Sequence, residues 1–232
     1  MQVNNKAEMP QAIKEKLSVA RGIAMSNLKY QKAIDLYEIY YGEYIFDLNQ
    51  KYRMAMLYDH RAMQVGEKAK EVFNSYLKKA ENLYREIFKE SPSYFHALYG
   101  IGRLYSARGD YKTALKFQIK AYKIMLKTPR KERGALAIGS LYESLENYKK
   151  AEEWYLREYR DTPKDDFGTV LNLFQFYKRQ NNLKKALRYA IVLERLVKSE
   201  YKKKIYKGMK MNSSGFVKEI KKSIREIKKR AG

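Results

Sequence analysis

Apolar and small residues recur along the middle of this chain with a regular period. Each block has a glycine or larger apolar residue, a tyrosine three positions later and, after a polar gap, an aromatic or leucine followed three positions on by alanine. Two full copies and a weaker one run Gly102-Tyr105-Tyr111-Ala114, Gly139-Tyr142-Tyr148-Ala151 and Phe174-Tyr177-Leu183-Ala186. The three alanines lie 37 and 35 residues apart, and Ala80 lies 34 before the first. A period of this size predicts a solenoid of repeated units.

Each period also carries signals for two helices joined by a short turn. Ser or Thr followed by Pro marks a helix start, because the side chain can cap the helix and Pro lacks the N–H that has no partner there. Such pairs are Ser91-Pro92, Thr128-Pro129 and Thr162-Pro163, and turn-forming residues lie midway at Arg108-Gly109-Asp110, Glu146-Asn147 and Asn181-Asn182. We therefore expect helix, turn and helix in every period, with small residues where the two helices meet.

Taken together, these residues resemble the tetratricopeptide repeat. That family places an aromatic residue, Leu-Gly, Tyr, Ala, a second aromatic, Ala and Pro within 34 residues. The matching positions are Gly102, Tyr105, Ala114 and Ala121 in one repeat and Gly139, Tyr142, Ala151, Tyr155 and Pro163 in the next. The resemblance implies an all-α fold without a sheet, in which antiparallel helical hairpins stack into a solenoid with a right-handed superhelical twist.

The other repeats match this pattern less well. The repeat that ends near Pro92 has Lys68 where glycine is expected, the repeat at 167–198 has Phe174 there, and a fifth, degenerate copy includes Ala33. Ala33 and Ala80 are 47 residues apart, about 13 more than the family period of 34. We therefore expect longer helices in this part of the chain.

The pattern divides the chain into three segments: an N-terminal extension at residues 1–10, the repeat array at 11–197 and a basic C-terminal extension at 198–232. In the last segment, Ser213 or Ser214 is suited to begin a final helix. Its apolar face would hold Phe216, Val217, Ile220, Ile224 and Ile227. We expect this helix to cap the array, because the last repeat would otherwise expose its apolar side. A basic helix that binds a membrane surface or a partner is the alternative.

Composition restricts the class of protein. Cysteine is absent, which excludes disulfides and thiolate metal sites and suits a reducing compartment. No signal-peptide pattern and no apolar run of membrane-spanning length is found, so a cytoplasmic protein is expected. The net charge is +23, and the last 35 residues hold 13 Lys or Arg against three Glu. Such a tail attracts nucleic acid, acidic proteins or anionic membranes, although an A/T-rich genome would also enrich Lys and Tyr.

Candidate catalytic chemistry is sparse. The two histidines, His60 and His96, are not spaced as metal ligands, and Gly100-Ile101-Gly102 lies inside a helix pattern without a third glycine. No phosphate-binding loop motif is present. We therefore expect a non-enzymatic protein without a metal or cofactor.

The resemblance also implies where a ligand would bind, since the first helix of each repeat lines the concave groove in this family. The corresponding exposed positions are His96, Tyr99, Arg103, Ser106, Arg133, Leu136, Ser140, Glu143, Leu171, Gln175 and Lys178. One subclass holds the C-terminal carboxylate of chaperones with Lys and Asn at such positions. Here other residue types occupy them, which argues against that mode, and ordinary surface residues without a ligand are the alternative.

These observations favour an adaptor or scaffold that binds a protein segment, anchored by Tyr99 and Leu136 and oriented by Arg103 and Arg133. A nucleic-acid- or ribosome-associated protein that uses the basic tail and Lys-rich faces is the runner-up. A dimeric assembly factor, in which the terminal helix docks on or swaps with a second copy, is a third hypothesis.

Overall fold

The computed structural model describes residues 6–128, 134–163, 166–198 and 213–231. The chain forms two compact units, unit 1 at Met1–Glu132 and unit 2 at Arg133–Gly232. The helices of unit 1 are α1 (Gln11–Asn27), α2 (Tyr30–Glu43), α3 (Leu48–Val65), α4 (Lys70–Glu90), α5 (Phe95–Ala107) and α6 (Tyr111–Met125). The helices of unit 2 are α7 (Ala135–Ser144), α8 (Tyr148–Asp161), α9 (Phe167–Arg179), α10 (Leu183–Lys198) and α11 (Ser213–Ala231).

Within each unit, consecutive helices pack as hairpins. In unit 1 the pairs are α1 with α2, α3 with α4, and α5 with α6, and each hairpin packs on the next through α2 with α3 and α4 with α5. In unit 2 the pairs are α7 with α8 and α9 with α10, and α11 packs on α10. The predicted all-α hairpin fold is confirmed. Within the described ranges its small exception is a parallel pair of two-residue strands, β1 (Ala7–Glu8) and β2 (Tyr44–Ile45).

The repeating alanines lie where the period predicts. All five are buried, and all five belong to the second helix of a hairpin; they are Ala33, Ala80, Ala114, Ala151 and Ala186. The first helices contribute glycines to the same contacts. A Cβ on Gly102 would lie 2.8 Å from Nε2 of Gln118, and a Cβ on Gly139 would lie 2.9 Å from the ring of Tyr155. A larger residue at Gly139 would therefore overlap the Tyr155 ring, and one at Gly102 would displace the Gln118 side chain.

The residues at the middle of each period cap the second helices. Side-chain oxygens of Asp110, Asn147 and Asn182 accept hydrogen bonds from backbone N–H groups three residues later, at 3.0, 3.2 and 3.1 Å. The residue before each cap has a left-handed backbone, with φ of 78° at Gly109 and 52° at Asn181. This tight turn reverses the chain between the two helices.

The Ser-Pro and Thr-Pro pairs do not have the predicted role. Ser91 and Thr162 end α4 and α8 in extended conformations, because a residue before Pro is pushed out of the helical region. The next helices begin a few residues later, at Phe95 and Phe167, and Asp166 rather than Thr162 caps α9 by accepting from the Thr169 N–H at 2.8 Å. Pro129 lies outside the described residues.

The third and fourth helices carry the extra length that the sequence predicts. The α3 and α4 helices have 18 and 21 residues, against 13 and 15 in α5 and α6. Asp47 begins α3 with a capping box, in which its side chain and that of Gln50 each accept from the other's backbone N–H at 2.8 Å. Lys68 lies in a 3-10 turn between the two helices, so the small-residue position of the pattern has no counterpart there.

The final helix covers the apolar side of unit 2. Ile224 and Ile227 of α11 are buried in one cluster with Leu193 and Leu196 of α10. The structure does not describe the side chains of three residues that the sequence places on the same face: Phe216, Val217 and Ile220. The segment 199–212 also lies outside the described residues. The division into an array at 11–197 and an extension at 198–232 stays a prediction.

Candidate functional site

Four of the predicted groove residues lie on one face of α5 in unit 1. His96, Tyr99, Arg103 and Ser106 follow one another at intervals of one helical turn, and all four are half-buried. The helix is held from behind by Gln118 of α6, whose Nε2 donates to the carbonyl oxygen of Tyr99 at 3.0 Å. The face is therefore a fixed part of the hairpin.

Aromatic rings from α3 and from the segment before α5 extend this face. The Tyr52 ring lies 5.7 Å from Tyr94 and 5.6 Å from His96, between centroids. The His96 ring lies 5.5 Å from Tyr94 and 4.1 Å from Phe95. Rings at these separations attract one another. Burial raises the pKa of the Tyr52 hydroxyl to about 12, so the hydroxyl stays protonated and able to donate a hydrogen bond.

A buried carboxylate lies beneath this face. Asp59 of α3 has a side chain that is 1% exposed, and its Oδ2 lies 3.3 Å from Nη2 of Arg103, whose side chain is 39% exposed. Neither carboxylate oxygen of Asp59 has a hydrogen-bond partner within the described residues. The charge of Asp59 therefore attracts the Arg103 guanidinium without a hydrogen bond between them, and the N–H donors of Arg103 can bind a group outside the fold.

Burial sets the protonation of the groups around this pair. Desolvation raises the pKa of Asp59, while the charges of Arg103 and His60 act in the opposite direction. Desolvation also lowers the pKa of His60, whose ring stacks on Tyr30 at 5.5 Å with 15° between the planes. The lowered pKa leaves His60 uncharged at neutral pH, so Arg103 is the cation that pairs with Asp59.

Glycine makes the approach of α5 to α4 possible. A Cβ on Gly100 would lie 2.5 Å from Cζ of Tyr84, a ring that is almost completely buried. The Tyr84 ring in turn packs against Tyr52 at 5.9 Å between centroids. Gly100 thus determines how closely the rings of α3, α4 and α5 pack.

The predicted groove residues of unit 2 have different surroundings. Leu136, Ser140 and Glu143 lie on α7, whereas Leu171, Gln175 and Lys178 lie on α9. The two leucines are partly buried against the apolar cluster of unit 2, Gln175 is half-buried, and Ser140 is exposed. Arg133 lies outside the described residues.

Two of these residues bond within the fold. Glu143 accepts two hydrogen bonds from Arg179 of α9, at 2.7 and 2.9 Å, and one from the Tyr155 hydroxyl at 2.9 Å. Lys178 donates to the Ser223 hydroxyl of α11 at 2.9 Å. The polar groups of Glu143 and Lys178 therefore join helices of unit 2.

Three members of that face were not predicted from the sequence: Asp59, Tyr52 and Tyr94. Tyr52 and Asp59 lie on α3, in the hairpin whose extra length breaks the repeat pattern. Their spacing of seven residues, which puts both on one helical face, was the available signal. No three metal-ligating side chains cluster in the part of the chain that the structure describes, and no helix there could span a membrane.

Comparison with known proteins identifies one repeat. The tetratricopeptide repeat model matches residues 135–168, which include α7, α8 and the first residues of α9. Residues 135–168 therefore match a tetratricopeptide repeat, and the chain shares the fold of tetratricopeptide repeat proteins. A search of curated protein sequences gives no match.

Solved structures share the fold at low sequence identity. PilF of Pseudomonas aeruginosa is 12% identical over 80% of this chain and 78% of that chain, with a TM-score of 0.59. A thermophilic tetratricopeptide repeat protein of Thermus thermophilus is 15% identical over 83% and 95%, with a TM-score of 0.59. One from Parabacteroides merdae is 18% identical over 91% and 82%, with a TM-score of 0.56. Proteins of this fold are generally scaffolds for protein–protein interaction and typically non-enzymatic.

Proposed function

We propose that this tetratricopeptide repeat protein is a non-enzymatic adaptor that binds an extended segment of another protein on the face formed by α3 and α5. The observation that carries the proposal is the pair of Asp59 and Arg103. A buried carboxylate holds a half-exposed guanidinium in place, among aromatic rings, with donors left for a ligand. Arg, Tyr and Trp dominate the binding energy of protein interfaces, because they combine a large contact area with directional hydrogen bonds.

The chemistry of the face specifies the segment. The rings of Tyr52, Tyr94 and Tyr99 offer apolar surface to a Pro, aliphatic or aromatic side chain. Arg103 offers a planar pair of donors that suits an acidic side chain or a backbone carbonyl. The net charge of +23 would also draw an acidic segment towards the protein. The partner segment would therefore combine an acidic residue with a neighbouring apolar one.

Asp59 acts here as a positioning residue. It is too deeply buried to touch a ligand, but its charge keeps the Arg103 side chain over α3 and limits the rotamers that binding would otherwise have to freeze. The positions Leu136, Ser140, Leu171 and Gln175 in unit 2 remain predicted partner-binding positions.

Selection from a random 12-residue peptide library displayed on phage tests the proposal. The wild-type protein should enrich peptides in which an acidic residue lies next to an apolar one. The Arg103→Glu variant should bind these peptides at least about tenfold more weakly, because truncating or reversing a central arginine usually removes about 2 kcal/mol or more. Fluorescence anisotropy with the enriched peptides measures the change in Kd.

Arg195→Glu is the matched control. Arg195 is exposed on α10, and its reversal changes the net charge by the same amount at a site without the aromatic face. If Arg195→Glu weakens binding as much as Arg103→Glu does, the interaction is a general charge effect. If the enriched peptides bind Arg103→Glu as well as the wild type, the proposed site is wrong.

A further inference from the structure

The terminal helix α11 presents a straight row of cations to solvent. Lys218, Lys222, Arg225 and Lys229 are all exposed. Their spacing of i, i+4, i+7 and i+11 keeps them within an arc of about 60° at 100° per residue, over about 16 Å of helix. Ile224 and Ile227 are buried against α10 and point to the opposite side of the helix.

The rest of α11 shows how this row differs from its neighbours. Lys228 pairs with Glu194 at 2.7 Å, and Arg230 donates to Asn181 at 2.8 Å, so these side chains attach the helix to unit 2. None of the four residues of the row forms an ion pair within the described part of the chain. Like charges at i and i+4 repel each other on a helix, and a bound polyanion would remove that repulsion.

We propose that this row binds the phosphate backbone of a nucleic acid, independently of the peptide face in unit 1. A row of four cations along about 16 Å suits a ligand with closely and regularly spaced negative charges, as a nucleic-acid strand has. Among the side chains of α11 that the structure describes, no aromatic or apolar one lies between the cations to recognise a protein segment. An interfacial membrane helix would need its apolar face for the bilayer, and here Ile224 and Ile227 of that face are buried against α10.

Anisotropy measurements with a fluorescein-labelled 24-base-pair duplex of mixed sequence, as DNA and as RNA, test this proposal between 50 and 300 mM salt. Each phosphate that a cation neutralises contributes about −0.9 to the slope of log K against log salt for duplex DNA, so the row predicts a slope of about −3.6 or steeper. Replacing all four residues by Gln should remove that part of the slope and weaken binding more than about a thousandfold at 50 mM salt.

The matched control replaces four exposed lysines of unit 1 by Gln: Lys32, Lys68, Lys78 and Lys112. It has the same net charge as the row variant, and it should keep the wild-type slope. An Arg103→Glu variant should also keep it, which separates this proposal from peptide binding. Circular dichroism should show unchanged helicity for the row variant, because the four side chains are exposed.

Three outcomes would overturn the proposal. One is a wild-type protein that does not bind either duplex at 50 mM salt. Another is a row variant that binds with the same slope as the control variant. The third is a protein that sediments with phosphatidylserine vesicles or binds polyglutamate through the row but does not bind either duplex, since the ligand would then be a membrane or an acidic protein.

Discussion

Replacing Gly100 by Ala tests the packing on which the α3–α5 face depends. Gly100 lies where α5 packs against the Tyr84 ring of α4. An added Cβ would lie 2.5, 2.6 and 2.7 Å from the Cζ, Cε2 and Cε1 atoms of Tyr84. The Tyr84 ring has little room to move, because its side chain is 1% exposed and the Tyr52 ring packs beside it.

The size of the effect follows from this overlap. Carbon atoms in contact normally lie about 3.5–4.0 Å apart, so the new methyl group overlaps the ring by about 1 Å. Overpacking of a core costs about 1–3 kcal/mol, and three close contacts place this site at about 3 kcal/mol. Alanine regains about 1 kcal/mol through its higher helix propensity. We expect a net loss of about 2 kcal/mol, or a fall in Tm of about 6 °C.

The same substitution at Gly22 of α1 is the control. A Cβ there would meet nothing within 4 Å, so Gly22→Ala should raise the stability of unit 1 by about 0.5–1 kcal/mol through propensity alone. Thermal and urea unfolding followed by circular dichroism at 222 nm measures both variants. Equal effects of the two substitutions would refute the inferred contact.

A second variant checks that Tyr84 is the cause of the loss. Tyr84→Leu removes the ring atoms that the new methyl group would meet. The Gly100→Ala change should therefore cost less in a Tyr84→Leu background than in the wild type, with a coupling energy of at least about 0.5 kcal/mol. Strict additivity would locate the strain elsewhere.

Two further predictions concern burial. Ile227→Ala should destabilise unit 2 by about 2–4 kcal/mol in urea unfolding, because Ile227 is fully buried. The control Ile191→Ala, on the exposed surface of α10, should change stability by less than about 0.5 kcal/mol. Equal effects of the two substitutions would show that α11 does not pack on α10. Asp59→Asn should be more stable than the wild type at pH 7, because the raised pKa of Asp59 in the folded state means that the ionised carboxylate opposes folding. This gain in the free energy of unfolding should vanish as the pH falls below 3.8, the ordinary pKa of the group. The stability difference between Asp59→Asn and its parent is measured in a His60→Gln background that keeps Arg103, so that His60 does not titrate. A stability gain that grows as the pH falls would contradict this prediction.

The hairpin fold could be predicted from the sequence because its information is local and repeated. A buried alanine recurs once per hairpin, and a short polar residue caps the second helix in three of the hairpins, at the start of α6, α8 and α10. Both features depend on neighbours within one hairpin, so single repeats such as that containing Ala114 and Asp110 display them completely. Because these features recur in several hairpins, the repeat pattern can be distinguished from a chance match in the sequence.

The role of the Ser-Pro and Thr-Pro pairs could not be predicted in the same way. A Ser or Thr before Pro suits both the start of a helix and the extended residue that ends one. At Ser91 and Thr162 the second possibility holds, because the connection to the next helix needs a few more residues before the chain turns back.

The candidate site was only partly determined by the sequence. The period placed His96, Tyr99 and Arg103 on one face of α5, since helical spacing alone brings them together. It could not indicate that Asp59 lies beneath Arg103, because 44 residues and a hairpin of irregular length separate them. Only the packing of α3 with the neighbouring helices α4 and α5 removes Asp59 from water, and that burial places its carboxylate beside the Arg103 guanidinium.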